Sequence, residues 1–261
     1  MIHLDNRCYP SIYFLYQTLE EFFPLIGAVL SKDQDGVVYA NNAEAPTQFY
    51  VEHKFGFSQI FGLHDHQFES DLRSYLLLDK QFLPSKIRLY TPYYPEFLLL
   101  RQPGVLRSER QRFILDPSYD LTSLQNLKTI DQNIKIESVN QGNVSEIEAI
   151  FSAVSRFWRN SEEFLSKAHP VVALVNEKPA AICYAAAVAD NRAEIDVMTL
   201  PEFRNLGLGK RIVTFFNLRT LKQGIQPLWD CYTNNMASMM LCESTGFIKA
   251  KSAYPFFTIN K

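Results

Sequence analysis

The sequence predicts a mixed α/β (α+β) chain in two parts: a smaller, aromatic-rich α+β block at residues 1–128, then a block at residues 133–261 built on a central mixed sheet flanked by helices. Three observations carry this. Glu194 to Thr199 alternates polar and apolar residues, as a half-buried strand does. A loop with two glycines then runs into a helix with Leu208, Ile212, Phe215 and Phe216 on one face. Finally, strand-like and helix-like stretches are interleaved throughout, with no internal repeat. At 261 residues the chain suits one or two domains. Its 47% hydrophobic and 21% charged content is ordinary for a globular protein. A net charge of −2 gives no general attraction to nucleic acid or an anionic membrane.

In the first block, Ser11–Phe23 has helical periodicity, with Ile12, Leu15, Tyr16, Leu19, Phe22 and Phe23 on one side. Leu25–Leu30 and Gly36–Ala40 read as strands joined by the turn residues Asp33, Asp35 and Gly36. Thr47–His53 and Phe57–Phe61 make a hairpin. Phe68–Phe82 reads as a helix, and Ile87–Tyr90 and Glu109–Leu115 as further strands. The two prolines of Thr91–Pro95 mark a loop. Asp116–Gln132 is polar and turn-rich and is the expected linker.

In the second block, Ile134–Val139 alternates like a strand. Asn143 with Glu146 three residues on resembles a capping box, opening a helix that continues through Val154 towards Trp158. Ser161-Glu162-Glu163 begins a second helix. Val171–Val175 and Ala180–Ala189 are strands around the turn Asn176–Pro179, and Asp190–Arg192 turns the chain into the central strand. After the glycine loop and its helix come a strand at Pro227–Thr233, a closing helix and a last strand.

The loop reads Arg204-Asn205-Leu206-Gly207-Leu208-Gly209-Lys210. Glycines there let the backbone approach a bulky ligand. The amides of a helix N-terminus carry roughly half a positive charge, so the junction suits a phosphate or pyrophosphate. It is neither the G-x-G-x-x-G of a dinucleotide fold nor a P-loop. Arg204-x-x-Gly207-x-Gly209 after a strand resembles the Q/R-x-x-G-x-G/A signature of GNAT-superfamily acetyltransferases. Downstream, Asn235-x-x-Ser238-x-x-x-Cys242-Glu243-x-x-Gly246-Phe247 is similar to that family's closing helix and its Gly-Phe end. The order of elements over about residues 133–259 is also that of the family, and the first block resembles the N-terminal half of a longer GNAT subfamily.

The resemblance implies an acetyl-CoA-dependent N-acetyltransferase with no metal. The acceptor amine, a small molecule or a protein, attacks the thioester directly. The loop residues Arg204, Leu206, Gly207, Leu208, Gly209 and Lys210 would hold the pyrophosphate. Main-chain groups of Met198, Thr199 and Leu200, with Asn235 and Ser238, would hold the pantetheine arm. Asn235 equally suits the cap of the last helix. Glu194 is the first candidate base, and Asp196 shares its strand face two residues on. Both suit a solvated face or the binding of a positively charged substrate as well. Cys242 stands where many members have the tyrosine that protonates the leaving thiolate, and it reads better as a buried structural cysteine. Tyr184 and Tyr232 are substitutes without motif support. The first block is expected to wall the acceptor site.

The cysteines form no C-x-x-C pair, so disulfides and zinc are unsupported and a reducing, cytoplasmic setting fits. His64-Asp65-His66 could offer two imidazoles to a metal, but no third ligand is apparent and a polar loop is the better reading. Phe55–Phe61 and Tyr90–Phe97 suit core packing before an aromatic pocket. No stretch reads as a signal or membrane segment, and a monomer or homodimer is expected. The rival classes are an acyl-CoA-binding protein without turnover and a transferase using charged tRNA. The acidic balance counts against the second.

Overall fold

The structure, a computed structural model, describes residues 1–119 and 133–261. The expected boundary at residue 128 and most of the expected linker lie outside the described residues. The chain divides into two units, Met1–Arg110 with Ala253–Lys261, and Gln111–Ser252.

Unit 1 begins with β1 (Ile2–His3) and α1 (Tyr9–Tyr16). The helix stops well short of the expected Phe23. The Thr18 hydroxyl donates back to the Leu15 carbonyl, a local bond that competes with helix continuation. The buried Tyr16 hydroxyl then accepts from the Phe23 N–H at 2.9 Å and donates to Gln59 Oε1, fixing the path of the intervening segment. The expected strand at Leu25–Leu30 is instead α2 (Pro24–Leu30). Pro24 sits in the first helical turn, where its fixed φ helps and its missing N–H costs nothing. Phe23 before it is extended, as a residue preceding proline must be. All seven helical residues are buried, so the sequence had no polar face to reveal the helical period.

The sheet of this unit contains β2 (Gly36–Ala40), β3 (Gln48–His53), β4 (Phe57–Gly62), β5 (Lys86–Tyr90) and β6 (Val105–Leu115). β2, β3 and β4 are successive antiparallel neighbours, as expected of the hairpin. β5 returns parallel to β4, with Phe57 opposite Arg88. The crossover holds α3 (His66–Arg73) and a single π turn, Ser74–Leu78. The expected helix to Phe82 therefore ends early; Lys80 takes a left-handed φ of 47° and turns the chain. The C-terminal strand Tyr254–Asn260 pairs antiparallel with both β5 and β6. Phe68, Leu72, Leu76, Phe82, Ile87 and Leu89 bury their side chains in one core. Each such residue contributes roughly 1.5–3 kcal/mol. The aromatic run packs as expected, with Tyr90 stacked on Phe23 and Phe57.

Unit 2 contains β7 (Ile134–Ser138), α4 (Val144–Phe151), α5 (Ala153–Phe157), α6 (Ser161–Lys167), β8 (Val171–Val175), β9 (Lys178–Ala189), β10 (Arg192–Thr199), α7 (Leu208–Leu221), β11 (Gln226–Tyr232), α8 (Met236–Ser244) and β12 (Phe247–Lys249). Within this unit the strand order is β11-β10-β9-β8-β7, and β12 pairs antiparallel with Phe113 to Leu115, the end of β6 that belongs to this unit. This is the predicted order of elements, with two local differences. The capping box at Asn143 does not form: Asn143 Oδ1 accepts from the Asn140 N–H instead. The helix running towards Trp158 breaks at Ser152, φ 51°, because the Glu148 carboxylate folds forward and accepts from the Val154 and Ser155 N–H groups. Glu148 thereby caps α5, as an N-cap side chain would. On one face of the sheet α7 packs Leu208, Ile212, Val213 and Phe216 against Ala181, Cys183, Ala185, Ala193 and Trp229. The small side chains of β9 let the helix lie close.

Candidate active site

The site is built where β10 leaves β11. Their parallel pairing runs from Arg192 opposite Gln226 to Glu194 opposite Leu228. Past Glu194, β10 follows β9 to the pair Thr199–Ala181, while β11 continues to Tyr232. The Leu200 N–H completes the β9 side by donating to the Ala180 carbonyl. Met198, Thr199 and Leu200 are half-buried at the end of this parted strand. Their second backbone edge faces away from β9, the geometry an extended ligand arm needs to add to a strand.

The loop after β10 makes a short 3-10 turn, Pro201–Phe203, and then places Asn205 and Gly207 in the left-handed region at φ 65° and 71°. Gly207 is the N-cap of α7, and no side chain caps this end among the described residues. The first helical amides, from Leu208, Gly209 and Lys210, are thus left to an outside acceptor. The 14-residue length of α7 gives that end its full dipole. The two glycines do different work. A Cβ on Gly207 would meet nothing within 4 Å, so glycine is needed for its φ. A Cβ on Gly209 would lie 3.1 Å from Leu241 Cδ2, so Gly209 serves the packing of α7 on α8. Arg204 and Leu206 are exposed and Lys210 half-buried.

Glu194 is buried at the last pair before the strands part. Ala193, Ile195 and Val197 belong to the core under α7, which leaves Glu194 and Asp196 to the other face of β10. There Asp196 Oδ2 accepts from Tyr184 Oη at 2.6 Å and from Arg156 Nη1 at 3.1 Å. Arg156 lies on α5, forty residues from its partner, and the sequence carries no signal for that pairing. Burial first, and the Asp196 carboxylate second, push the Tyr184 phenol far above its ordinary range. Cys242 is fully buried and its thiol is raised by that burial, in keeping with a structural cysteine.

Asn235 caps α8, its Oδ1 accepting from the Ser238 N–H at 3.1 Å. Ser238 Oγ in turn accepts from Trp229 Nε1 at 3.1 Å. The Ser238 side chain joins α8 to β11, and Asn235 is exposed at the head of the helix. In unit 1, His64 and His66 have a neighbour that the sequence did not make apparent. The turn Glu96–Leu98, thirty residues on, brings the Glu96 carboxylate beside both imidazoles.

A parted strand followed by a glycine-capped, open helix end on a mixed sheet defines a fold of the acetyltransferase class. The family model for GNAT acetyltransferase matches residues 23–257, and the chain belongs to that family. The match spans most of unit 1 as well as unit 2. An uncharacterized N-acetyltransferase of Bacillus subtilis (strain 168), YdfB, is 24% identical over 255 residues, covering 93% of this chain and 88% of its own. A GCN5-related N-acetyltransferase-like protein from Streptococcus suis shares the fold at a TM-score of 0.74 and 20% identity, covering 96% of this chain and 98% of its own. A GNAT-family acetyltransferase from Colwellia psychrerythraea does so at 0.60 and 12%, covering 100% and 99%. Among the described residues, no helix is long and apolar enough to cross a membrane.

Proposed function

We propose that the protein moves an acetyl group from acetyl-CoA to an amine by direct attack on the thioester. The observation that carries this reading is the open, Gly207-capped end of α7 at the exit of β10, where that strand has left β11. The amides of Leu208, Gly209 and Lys210 receive the pyrophosphate, with Arg204 and Lys210 as supporting cations and Leu206 beside them. The parted edge of Met198–Leu200, with Asn235 and Ser238 across the opening, receives the pantetheine arm. The amine nitrogen attacks the carbonyl carbon, the C–S bond breaks, and coenzyme A leaves as thiolate. Glu194, at the apex of the opening, takes the ammonium proton through a water. Asp196, already accepting from Tyr184 and Arg156, holds that face of the strand in place. Acceptors of this kind are small amines or protein amines. Its charge gives no attraction for nucleic acid. A monomer or homodimer in the cytoplasm suits the dispersed cysteines.

Thermal unfolding with acetyl-CoA or coenzyme A tests the reading. Ligand at 100 times its Kd stabilises by about 2.7 kcal/mol. At roughly 2–4 °C per kcal/mol that is a clear rise in Tm. Gly207→Glu, which places a carboxylate at the phosphate site, abolishes it. Absence of any shift at millimolar ligand rejects the reading. A second reading, an acyl-CoA-binding protein without turnover, draws on the buried Cys242 in place of a proton-donating tyrosine. Turnover with a panel of amines separates the two.

A further inference from the structure

We propose that unit 1 carries a divalent-metal site of the zinc class, formed by His64 Nε2, His66 Nδ1 and the Glu96 carboxylate. The three donor atoms lie within 4.8 Å of one another. His64 Nε2 is 3.1 Å from His66 Nδ1, and His66 Nδ1 is 3.9 Å from Glu96 Oε2. Ligands at about 2.0–2.2 Å around a tetrahedral zinc are themselves about 3.3–3.5 Å apart. The separations of 3.1 and 3.9 Å bracket that spacing, and the trio closes on an ion by a small movement of Glu96. His66 and Glu96 have side chains 81% and 64% exposed, so both can adjust to an ion.

What separates this trio from a chance surface cluster is the group behind it. Glu69, buried at 4% exposure, places Oε1 2.8 Å from His64 Nδ1. A carboxylate only accepts, so the His64 proton sits on Nδ1 and the Nε2 lone pair is turned toward His66 and Glu96. That is the carboxylate–histidine–metal arrangement, in which the carboxylate fixes the tautomer and raises the basicity of the ligand nitrogen. Glu69 is itself fixed by Gln48 Nε2 at 3.1 Å and Tyr93 Oη at 3.4 Å. It also accepts from the Glu96 N–H at 3.3 Å, so one buried carboxylate sets both the histidine and the turn that supplies the third ligand. The site opens on a cavity of about 360 Å³. Opposing charge is present: Arg73 lines the cavity and His66 is the first residue of α3, whose N-terminus disfavours a cation. Glu69 and Glu96, with Asp65 as the N-cap of that helix, outweigh them. Two imidazoles and a carboxylate suit zinc, and leave a fourth position for water. The bound ion would tie the loop after β4 to the turn at Glu96, within unit 1.

Without a metal, the same contact is a plain hydrogen bond between the two imidazoles, so the test must see the ion. Tag-free, chelator-treated full-length protein is titrated with zinc by calorimetry and with cobalt(II) by visible absorption. The expected result is one ion per chain, with a ligand-field band on cobalt and a rise in Tm with zinc. His66→Ala and Glu96→Gln, both at exposed positions, keep the circular-dichroism spectrum and lose affinity at least tenfold. Glu69→Gln keeps the stoichiometry and weakens binding about 10–100-fold. No binding, or an isotherm unchanged by His66→Ala and Glu96→Gln, overturns the proposal.

Discussion

Tyr184 donates its phenolic hydrogen to Asp196 across the β9–β10 ladder, Oη to Oδ2 at 2.6 Å. Arg156 donates to the same oxygen. The phenol is buried and packs on Phe164, so its proton is committed. Tyr184→Phe therefore costs about 1.5–3 kcal/mol in a denaturant titration, the worth of a hydrogen bond to a charged group. The same commitment makes Tyr184 a poor acid for a leaving thiolate. The rate profile of Tyr184→Phe keeps its alkaline limb. Loss of that limb would instead make Tyr184 the acid.

Gly207 and Gly209 separate cleanly by substitution. Gly207→Ala puts a side chain on a left-handed residue, at a cost of about 1–2 kcal/mol, with free space around it. Its effect extends to cosubstrate affinity, because the cap aims the amides of α7. Gly209→Ala meets Leu241 at 3.1 Å. It destabilises alone, but on a Leu241→Ala background the better helix propensity of alanine, up to about 1 kcal/mol, shows through. The double-mutant cycle reads that coupling. Additive effects would show that Gly209 does not serve α7–α8 packing.

The glycine loop between β10 and α7 was legible because its signal is local: a strand, two glycines and a helix face lie within thirty residues. The same locality exposed the β8–β9–β10 order and the hairpin of unit 1. Signals failed where a fully apolar run hides its period, as at Pro24–Leu30, or where a side chain outbids the expected partner, as Glu148 does at Ser152. Arg156 on Asp196 and Glu96 beside His64 are pairings made by the fold across 40 and about 30 residues, and no spacing announces them. The C-terminal strand joins β5 and β6 for the same reason: its alternation marks a strand, and the partner is chosen by topology.

Glu194 stands at the end of the β10–β11 pairing, and the role of base proposed for it is separable from that of its neighbour. Glu194→Gln keeps the size and lowers kcat by about 10²–10⁴, the range of a lost general base. The acidic limb of the kcat/KM profile goes with it. Asp196→Asn preserves an acceptor for Tyr184 and acts mainly on stability. An unchanged profile in Glu194→Gln removes Glu194 from the chemistry.

His53 makes stability fall in acid. It is fully buried in β3, its Nδ1 accepting from the Phe55 N–H at 3.0 Å. Its proton therefore sits on Nε2, which faces Gln34 Oε1 at 3.1 Å. Burial first, and the Lys54 charge second, hold its pKa down to about 3 against an ordinary 6.5. The folded value lies below the unfolded one, so folding favours the neutral ring. That stability is complete above about pH 6.5 and is lost, at about 1.4 kcal/mol per pH unit, as the pH falls towards 3. His169, lowered by burial and by Arg219, adds to the slope. Glu52, raised by burial, opposes it, because its protonated form is the one folding favours and that contribution grows as the pH falls. Urea titrations at pH 6.5 and 5 should show a loss of about 1.6 kcal/mol from His53 alone. His53→Asn, which keeps an acceptor for Phe55, is less stable at pH 7 but loses less on acidification. An equal loss in both proteins would assign the acid sensitivity elsewhere.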